Sequence, residues 1–424
     1  MLKRVSPETM PPRGKMGLDS ETLSVAGDIL DAVERDGEDA VRKYAERFDE
    51  IGAGASLIVE RDELDAALSR LEPSDRAVLE RVSRRIEHFA RAQRDSLGDL
   101  DTSIEGGRAG HSWSPMERAG CYAPGGRFPL PSSVLMTAVT ARVAGVSEVT
   151  VASPKPTDVT LAAAAVAGAD RVLRVGGAHA IGALAYGAGP VAPVDVIVGP
   201  GSRWVTAAKK LVSGQVAIDM IAGPSELAVL ADESADPKVV AADLLAQAEH
   251  DDDAIPILIT SSAQLADAVD RALEVQLQTL PTAPTARNAL KNGYTVLVPT
   301  LEVGVDVCDQ LAPEHLQVMT HQDEEIAARL RHYGGLFIGA HSAEVFGDYG
   351  AGPNHVLPTG GTARLTGGLS VVDFMRVRTW LKVDTDAQFL ADDASHLARL
   401  EGLEAHARAA ESRWPQERRD DPED

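Results

Sequence analysis

Two polar side chains, Gln247 and His250, interrupt the apolar, helix-like run of "LLAQAEHDDDAIPILIT" where packing residues would be expected. At i and i+3 both side chains leave one face of a helix. Imidazole is a common zinc ligand, whereas an amide oxygen is an uncommon one suited to weaker or exchangeable coordination. The plainer reading is a polar helix terminus meeting solvent, and spacing alone does not separate the two. A second pair, Glu314 and His315, follows Pro313 in "DQLAPEHLQV". The proline stiffens the approach, the imidazole can serve as a base near neutral pH, and the carboxylate can activate water. Here the plainer reading is an adjacent Glu-His pair on a helix surface.

The stretch "FGDYGAGPNHVLPTGGTARLTGGLS" holds seven glycines and two prolines in 25 residues, yet carries Asp348, Asn354, His355, Thr359 and Arg364. So permissive a backbone is expected where the chain approaches a ligand closely. "VIVGPGSRWV" and "IAGPSEL" each follow a strand, so their backbone N–H groups can face an anion or cofactor; a tight strand-end turn explains either one equally well. "CYAPGGRFPLPSSVLM" ends a strand and opens a helix, with Ser132 or Ser133 expected as the cap and the loop as a wall of a cleft or a plain connection. His406 near the end of the chain, and His179, His321, His332, His341 and His396, read by default as solvated helix residues.

These groups must be positioned by a regular scaffold. "ETLSVAGDILDAVERDGEDAVRKYAERFDE" places Val25, Ile29 and Val33 on one face and Val41, Tyr44 and Phe48 on another, with Asp36-Gly37 as the break. "DRAVLERVSRRIEHFARAQRD" repeats the pattern with Val78, Val82, Ile86 and Phe89. From about Gly120 short apolar strands alternate with helices, the signature of βαβ units and parallel sheets. The last fifty residues read as helical, with Leu397, Leu400 and Leu403 on one stripe and a disordered "ERRDDPED" tail.

A chain of 424 residues needs more than one core. Its net charge of −23 disfavours nucleic acid, whose phosphates would be repelled, and suits a high-salt cytoplasm where self-repulsion is screened. Only Cys121 and Cys308 occur, far apart, which argues against a disulfide framework or thiolate zinc site and suits a reducing cytoplasm. No secretion signal opens the chain. The charge-free window Val175 to Val194 holds five glycines and two prolines, poor material for a membrane helix, and reads as a buried αβ segment.

Taken in order, "YAPGGRFPLPSSVLMTAVTARVAGV", "VGGAHAIGALAYG", "VDVIVGPG", "AIDMIAGPSE", "DLLAQAEHD", "APEHLQV", "GDYGAGPNHVLPTGGTAR" and "EGLEAHA" resemble the histidinol dehydrogenase family through nearly the whole chain. The resemblance implies two incomplete Rossmann-like parallel-sheet domains with helical N-terminal and C-terminal extensions. Expected boundaries are an extension at 1–20, a discontinuous α/β domain of 21–121 plus 227–370, an NAD-binding α/β domain of 122–226, and a C-terminal extension of 371–424 exchanged in a domain-swapped homodimer. It implies oxidation of L-histidinol to L-histidine through the aldehyde with two NAD. One Zn2+ per subunit would be held by Gln247, His250, Asp348 and the partner's own copy of His406. His315 is implied as the base in alcohol oxidation and Glu314 as the group that activates water. Substrate contacts would come from Ser225, His355 and Glu401 besides Gln247, His250, His315, Asp348 and His406. Tyr122, His179 and Ser202 match positions that line the NAD site.

Three places depart from the family pattern. His179 stands where Gln is usual, Ser202 where Asn is usual, and the Thr366–Gly368 run of "LTGGLS" replaces a more serine-rich one. They leave open a related NAD-dependent dehydrogenase acting on another small polar alcohol, such as a sulfonated diol. A zinc-stabilised binding protein on the same scaffold is a third reading, disfavoured because Glu314 and His315 are retained.

Overall fold

The computed structural model describes residues 2–11, 18–52, 54–125 and 129–414, so the loop residues 126–128 and the tail expected to be disordered lie outside it. It contains two compact units, residues 1–94 with 115–374, and residues 95–114 with 375–424.

The larger unit is built on two six-stranded sheets with helices on their faces. In one sheet the spatial order is Ile58–Glu60, Arg171–Leu173, Glu148–Ala152, Arg118–Tyr122, Val196–Val198, Ala217–Ile218; all pairs are parallel except the first. Chain direction across the sheet reverses between Arg118–Tyr122 and Val196–Val198. In a Rossmann-like order that reversal opens a crevice at the strands' carboxyl ends. Tyr122 ends one of the two strands, and the turn Gly199–Ser202 follows the other.

The helices Ser20–Asp36 and Glu38–Phe48 pack in the core of this sheet, with Ala26, Leu30, Val33 and Val41 against Ile181, Leu184 and Val205. Gly182 lets the first helix approach closely, since a Cβ there would lie 3.1 Å from Val33. The expected grouping of 21–121 with 227–370 therefore differs from the strand pairing: Ile58–Glu60 and Arg118–Tyr122 belong to the sheet of 148–218. The expected boundary at 121/122 falls inside a strand.

The second sheet is fully parallel, in the order Lys3–Val5, Tyr294–Leu297, Ile255–Thr260, Glu226–Ala231, His315–Met319, Gly335–Ile338. Its strands are near-continuous apolar runs because helices cover both faces. Glu226 and His315 open adjacent strands, with Leu227 in register with His315. Main-chain pairing thus fixes the spacing of the two residues before any side chain is considered.

The smaller unit comprises strands Leu100–Ile104, Gly107–Pro115 and Met375–Val383 and the helices Gln388–Leu400 and Glu404–Glu411. The segment from 375 was expected to be helical, but "MRVRTW" alternates apolar and polar residues for several positions and forms a strand. Of the four expected helical stripes, three are buried in part, at Ile29, Val33, Val41 and Ile86, and the last is not buried at all. Val25, Phe48, Val78, Phe89 and all of Leu397, Leu400 and Leu403 are exposed, while Ala26, Leu30, Leu79, Ala90, Ala391 and Ala398 are buried.

Candidate active site

His315 is buried at the mouth of its strand, 4% exposed. Its Nδ1 lies 3.1 Å from the Glu226 carbonyl oxygen. A carbonyl only accepts, so that contact assigns the ring proton to Nδ1 and leaves a lone pair on Nε2. Nε2 is shielded, has no hydrogen-bond partner, and faces Glu344 Oε1 and Asp348 Oδ1, each at 3.9 Å. Burial pushes the imidazole down to about 4, against the opposing pull of Asp348. The ring is a neutral base at physiological pH.

Glu314 and Glu226 hold each other reciprocally. Glu314 Oε2 accepts the Glu226 N–H at 2.9 Å, and Glu226 Oε1 accepts those of Glu314 and Gly360 at 3.3 and 2.9 Å. Burial raises Glu314 well above the ordinary carboxylate range and Glu226 to about 7. Ala312, immediately before Pro313, takes the left-handed conformation at φ 49° to end the preceding helix. A non-glycine residue adopts it only where its surroundings impose it.

A cluster of potential ligands adjoins His315. The short helix Glu344–Asp348 presents its first and last carboxylates on one face, and with His250 they offer ligand atoms within 4.8 Å of one another. His250 Nε2 is 3.5 Å from Asp348 Oδ2. The helix bearing Gln247 ends at Ala248, so His250 sits in the following turn rather than on the helix, with its N–H on the Gln247 carbonyl at 3.3 Å. That helix packs against Glu344–Asp348. Gln247 is fully buried, and both its amide atoms, like both Glu344 oxygens, lack a hydrogen-bond partner.

An unpartnered buried amide costs about 1–3 kcal/mol, and packed carboxylates repel when ionised. Burial first, then the charges of Asp348 and Asp243, push Glu344 up to about 9. Imidazole, amide and carboxylate donors with unspent hydrogen-bonding capacity fit a divalent cation of the zinc type.

His355 joins the cluster from the glycine-rich segment. Its Nδ1 is 3.1 Å from the Asp348 carbonyl oxygen and its Nε2 3.4 Å from Ser133 Oγ. Ser133 lies inside the helix Pro131–Ala144, whose cap is Leu130 with no side-chain bond, so the expected serine cap is replaced by a proline start. Asn354 donates to the Met136 carbonyl at 2.8 Å, docking the segment on that helix. Thr359 Oγ1 accepts the Gly223 N–H, whereas Arg364 is exposed and donates to the Asp309 carbonyl. Ser225 directly precedes Glu226, and its carbonyl accepts the Ile255 N–H at 3.0 Å.

At the crevice of the other sheet, Tyr122 is buried and its hydroxyl accepts the Gly177 N–H at 3.2 Å. Burial raises that phenol to about 12. Ser202 is the exposed cap residue of helix Arg203–Val212. His179 is not the solvated helix residue expected by default. It is 2% exposed, its Nε2 lies 2.7 Å from Asp49 Oδ2, and the same oxygen accepts the Gly176 N–H at 3.2 Å. Glu401 and His406 lie in the smaller unit, both exposed, at the end of one helix and within the next.

Sequence reasoning missed Glu344, Glu226 and Asp243. Asp243 lies one turn before Gln247 on the same helix, and burial raises it to about 6. The spacing of Asp243 and Gln247 at i and i+4 was a usable signal; Glu344 in "AEVFGDYG" offered none.

The histidinol dehydrogenase family model matches residues 14–414. The chain belongs to the histidinol dehydrogenase family. It is thereby an oxidoreductase of the NAD-dependent dehydrogenase class. It is 46% identical over 415 residues to a histidinol dehydrogenase of Nitratidesulfovibrio vulgaris, covering 95% of each chain. It is 45% identical over 393 residues to that of Geobacillus kaustophilus, covering 91% of this chain and 92% of the relative. The crystal structure of histidinol dehydrogenase from Elizabethkingia anophelis superposes with a TM-score of 0.91 at 30% identity, covering 97% of this chain and 98% of the other.

Proposed function

We propose that the protein is a zinc-dependent histidinol dehydrogenase that oxidises L-histidinol to L-histidine through the aldehyde, consuming two NAD. The observation that carries this reading is the buried neutral His315, whose lone pair faces the same small volume as Asp348 and Glu344. Gln247, His250 and Asp348 would hold the ion, with His406 supplied by a second copy of the chain. When bound, the ion supplies Lewis acidity toward substrate heteroatoms.

His315 Nε2 takes the alcohol proton as hydride leaves carbon for the first NAD, giving the aldehyde. The resulting imidazolium, with Nδ1 3.7 Å from Glu314 Oε2, favours the ionised form of that buried carboxyl. Glu314 then takes a proton from water as it adds to the aldehyde. The hydrate loses a second hydride to the second NAD. Alcohol, water and two NAD+ thus become carboxylate, two NADH and three protons. Ser225, His355, Glu401 and His406 would contact substrate around this centre.

NAD would lie in the crevice at the carboxyl ends of Arg118–Tyr122 and Val196–Val198, between Tyr122 and Ser202. His179 would act there through Asp49, which also binds the Gly176 N–H at the start of the adjoining helix. A domain-swapped homodimer is supported by the exposed Leu381, Leu397, Leu400 and Leu403 of the smaller unit, an apolar surface suited to burial against another chain. A cytoplasmic location accords with two buried free thiols, and among the described residues no helix is long and apolar enough to cross a membrane.

The test is to strip the protein with chelator, restore it metal by metal, and follow NADH from L-histidinol. No NADH with any metal, alongside turnover of another small polar alcohol such as a sulfonated diol, would replace this reading with the related dehydrogenase. The departures at His179, Ser202 and Thr366–Gly368 favour that second reading.

A further inference from the structure

Lys209 and Asp219 form an ion pair in the larger unit that the reaction above does not use. Lys209 is 3% exposed on the helix Arg203–Val212, and Asp219 follows the edge strand Ala217–Ile218. Lys209 Nζ donates to Asp219 Oδ1 and, at 3.0 Å, to the Gly199 carbonyl. Asp219 Oδ2 accepts the Gly199 N–H at 2.7 Å, and Oδ1 accepts the Met220 N–H at 2.6 Å.

Both polar groups of Gly199 are therefore held by opposite ends of one buried pair. Gly199 has φ +112°, and a Cβ there would collide with the Tyr122 carbonyl oxygen. The turn is pressed against the last residue of the neighbouring strand, and three residues later Ser202 starts the helix that carries Lys209. From Asp219 the chain runs directly to Ser225 and Glu226, the residue whose carbonyl orients His315.

We infer that the Lys209–Asp219 pair is a positioning device for the cofactor crevice, setting the gap between Tyr122 and Ser202 by clamping Gly199. Packing alone does not account for it. A buried ion pair gains little over apolar residues of equal volume, because desolvation offsets the attraction. What an apolar pair cannot supply is the set of hydrogen bonds to a glycine turn and to the segment that follows. The inference rests on the proposed placement of NAD between Tyr122 and Ser202.

The test compares the full-length holoenzyme with Lys209→Met and with the double variant Lys209→Met/Asp219→Asn, which leaves no lone buried charge. The expected result is a KM for NAD raised about tenfold or more, the scale on which sub-ångström misplacement acts. The KM for L-histidinol and kcat at saturating NAD stay within about threefold. A role in folding alone would lower active enzyme and leave the KM for NAD unchanged, and that result in a folded variant overturns the inference.

If neither variant folds, hydrogen exchange of the wild type decides. Peptides covering 199–202 and 220 must be protected before NAD is added and change little afterwards; fast exchange in the free enzyme overturns the clamp. If L-histidinol yields no NADH with the wild type, the substrate reading has failed, and calorimetric NAD binding by the same proteins still tests this one.

Discussion

His315→Asn isolates the proton transfer. The asparagine amide can still donate to the Glu226 carbonyl that now takes the Nδ1 proton at 3.1 Å, so the strand mouth keeps its bond while the Nε2 lone pair disappears. A positioned general base contributes about 10²–10⁴ in rate, or roughly 3–5.5 kcal/mol. The loss belongs near the middle of that range, because two carboxylates, Glu344 and Asp348, stand beside the imidazole, each 3.9 Å from Nε2, and can take the proton in part. The assay is NADH formation at saturating NAD and zinc, with metal content measured on the same sample. Turnover should fall about a thousandfold while bound zinc is unchanged. The wild type adds a pH signature. The neutral ring is the active form, so activity is lost as pH falls through the folded-state value near 4, not near the ordinary 6.5. A bound cation pushes the limb the same way. More than about a tenth of wild-type turnover in the variant, or an acid limb at 6.5, would refute the assignment.

Gln247→Ala should lower zinc affinity at least as much as the roughly 10–100-fold seen for outer-shell changes, read as metal content after dialysis; full zinc occupancy would remove Gln247 from the ligand set. Co-expressing Gln247→Ala with His406→Ala tests the composite site. Random pairing makes half the dimers mixed, each with one intact site of two, so about a quarter of wild-type activity should return; none returns if each site is built within one chain. Glu226 is raised from 4.5 to about 7 by burial, so its contribution to stability is complete below 4.5 and lost as pH rises through 7. The side chain is partly exposed, so the loss is about 2 kcal/mol rather than the roughly 3 that the full shift implies. Glu226→Gln should therefore flatten the melting-temperature difference between pH 5 and pH 8; an unchanged difference removes Glu226 as its source. Because 64 acidic residues face 41 basic ones, melting temperature should rise from low to molar salt, and equal stability would count against a high-salt habitat.

The alternation of strands and helices was legible because period and length survive in one sequence. The strand Met375–Val383 was misread although its first residues alternate, since the helical run behind it dominated the window. The exposed last stripe has a different cause. Leu397 and Leu400 share a face, whereas Leu403 lies past the Gly402 turn as the cap of the next helix, and the buried face of the first helix carries Ala391 and Ala398, small residues that signal close packing and score low as apolar. Gln247 and His250 stood out by residue type, whereas Glu344 gave no sign, because its role depends on two helices that meet only in the fold. His179 was opaque for the same reason: its partner Asp49 lies 130 residues away.

The site's acidic crowding is hard to explain as anything but function. Glu314, Glu344 and Asp348 are all buried around one imidazole that burial itself keeps neutral. No arginine or lysine forms an ion pair with any of the three among the described residues. Apolar residues on the same backbone would cost less, since each ionised carboxylate is penalised by desolvation and by its neighbours. Protonation relieves the strain at Glu344 and Glu314, but an amide does not titrate, and both amide atoms of Gln247, like those of Gln317, are without a hydrogen-bond partner. A cation relieves both at once, giving the amide oxygen an electrophile and the carboxylates a counter-charge. The proposed metal centre therefore rests on the place of Gln247 next to His250 and the Glu344–Asp348 helix, not on an unspent amide alone, which Gln317 shares.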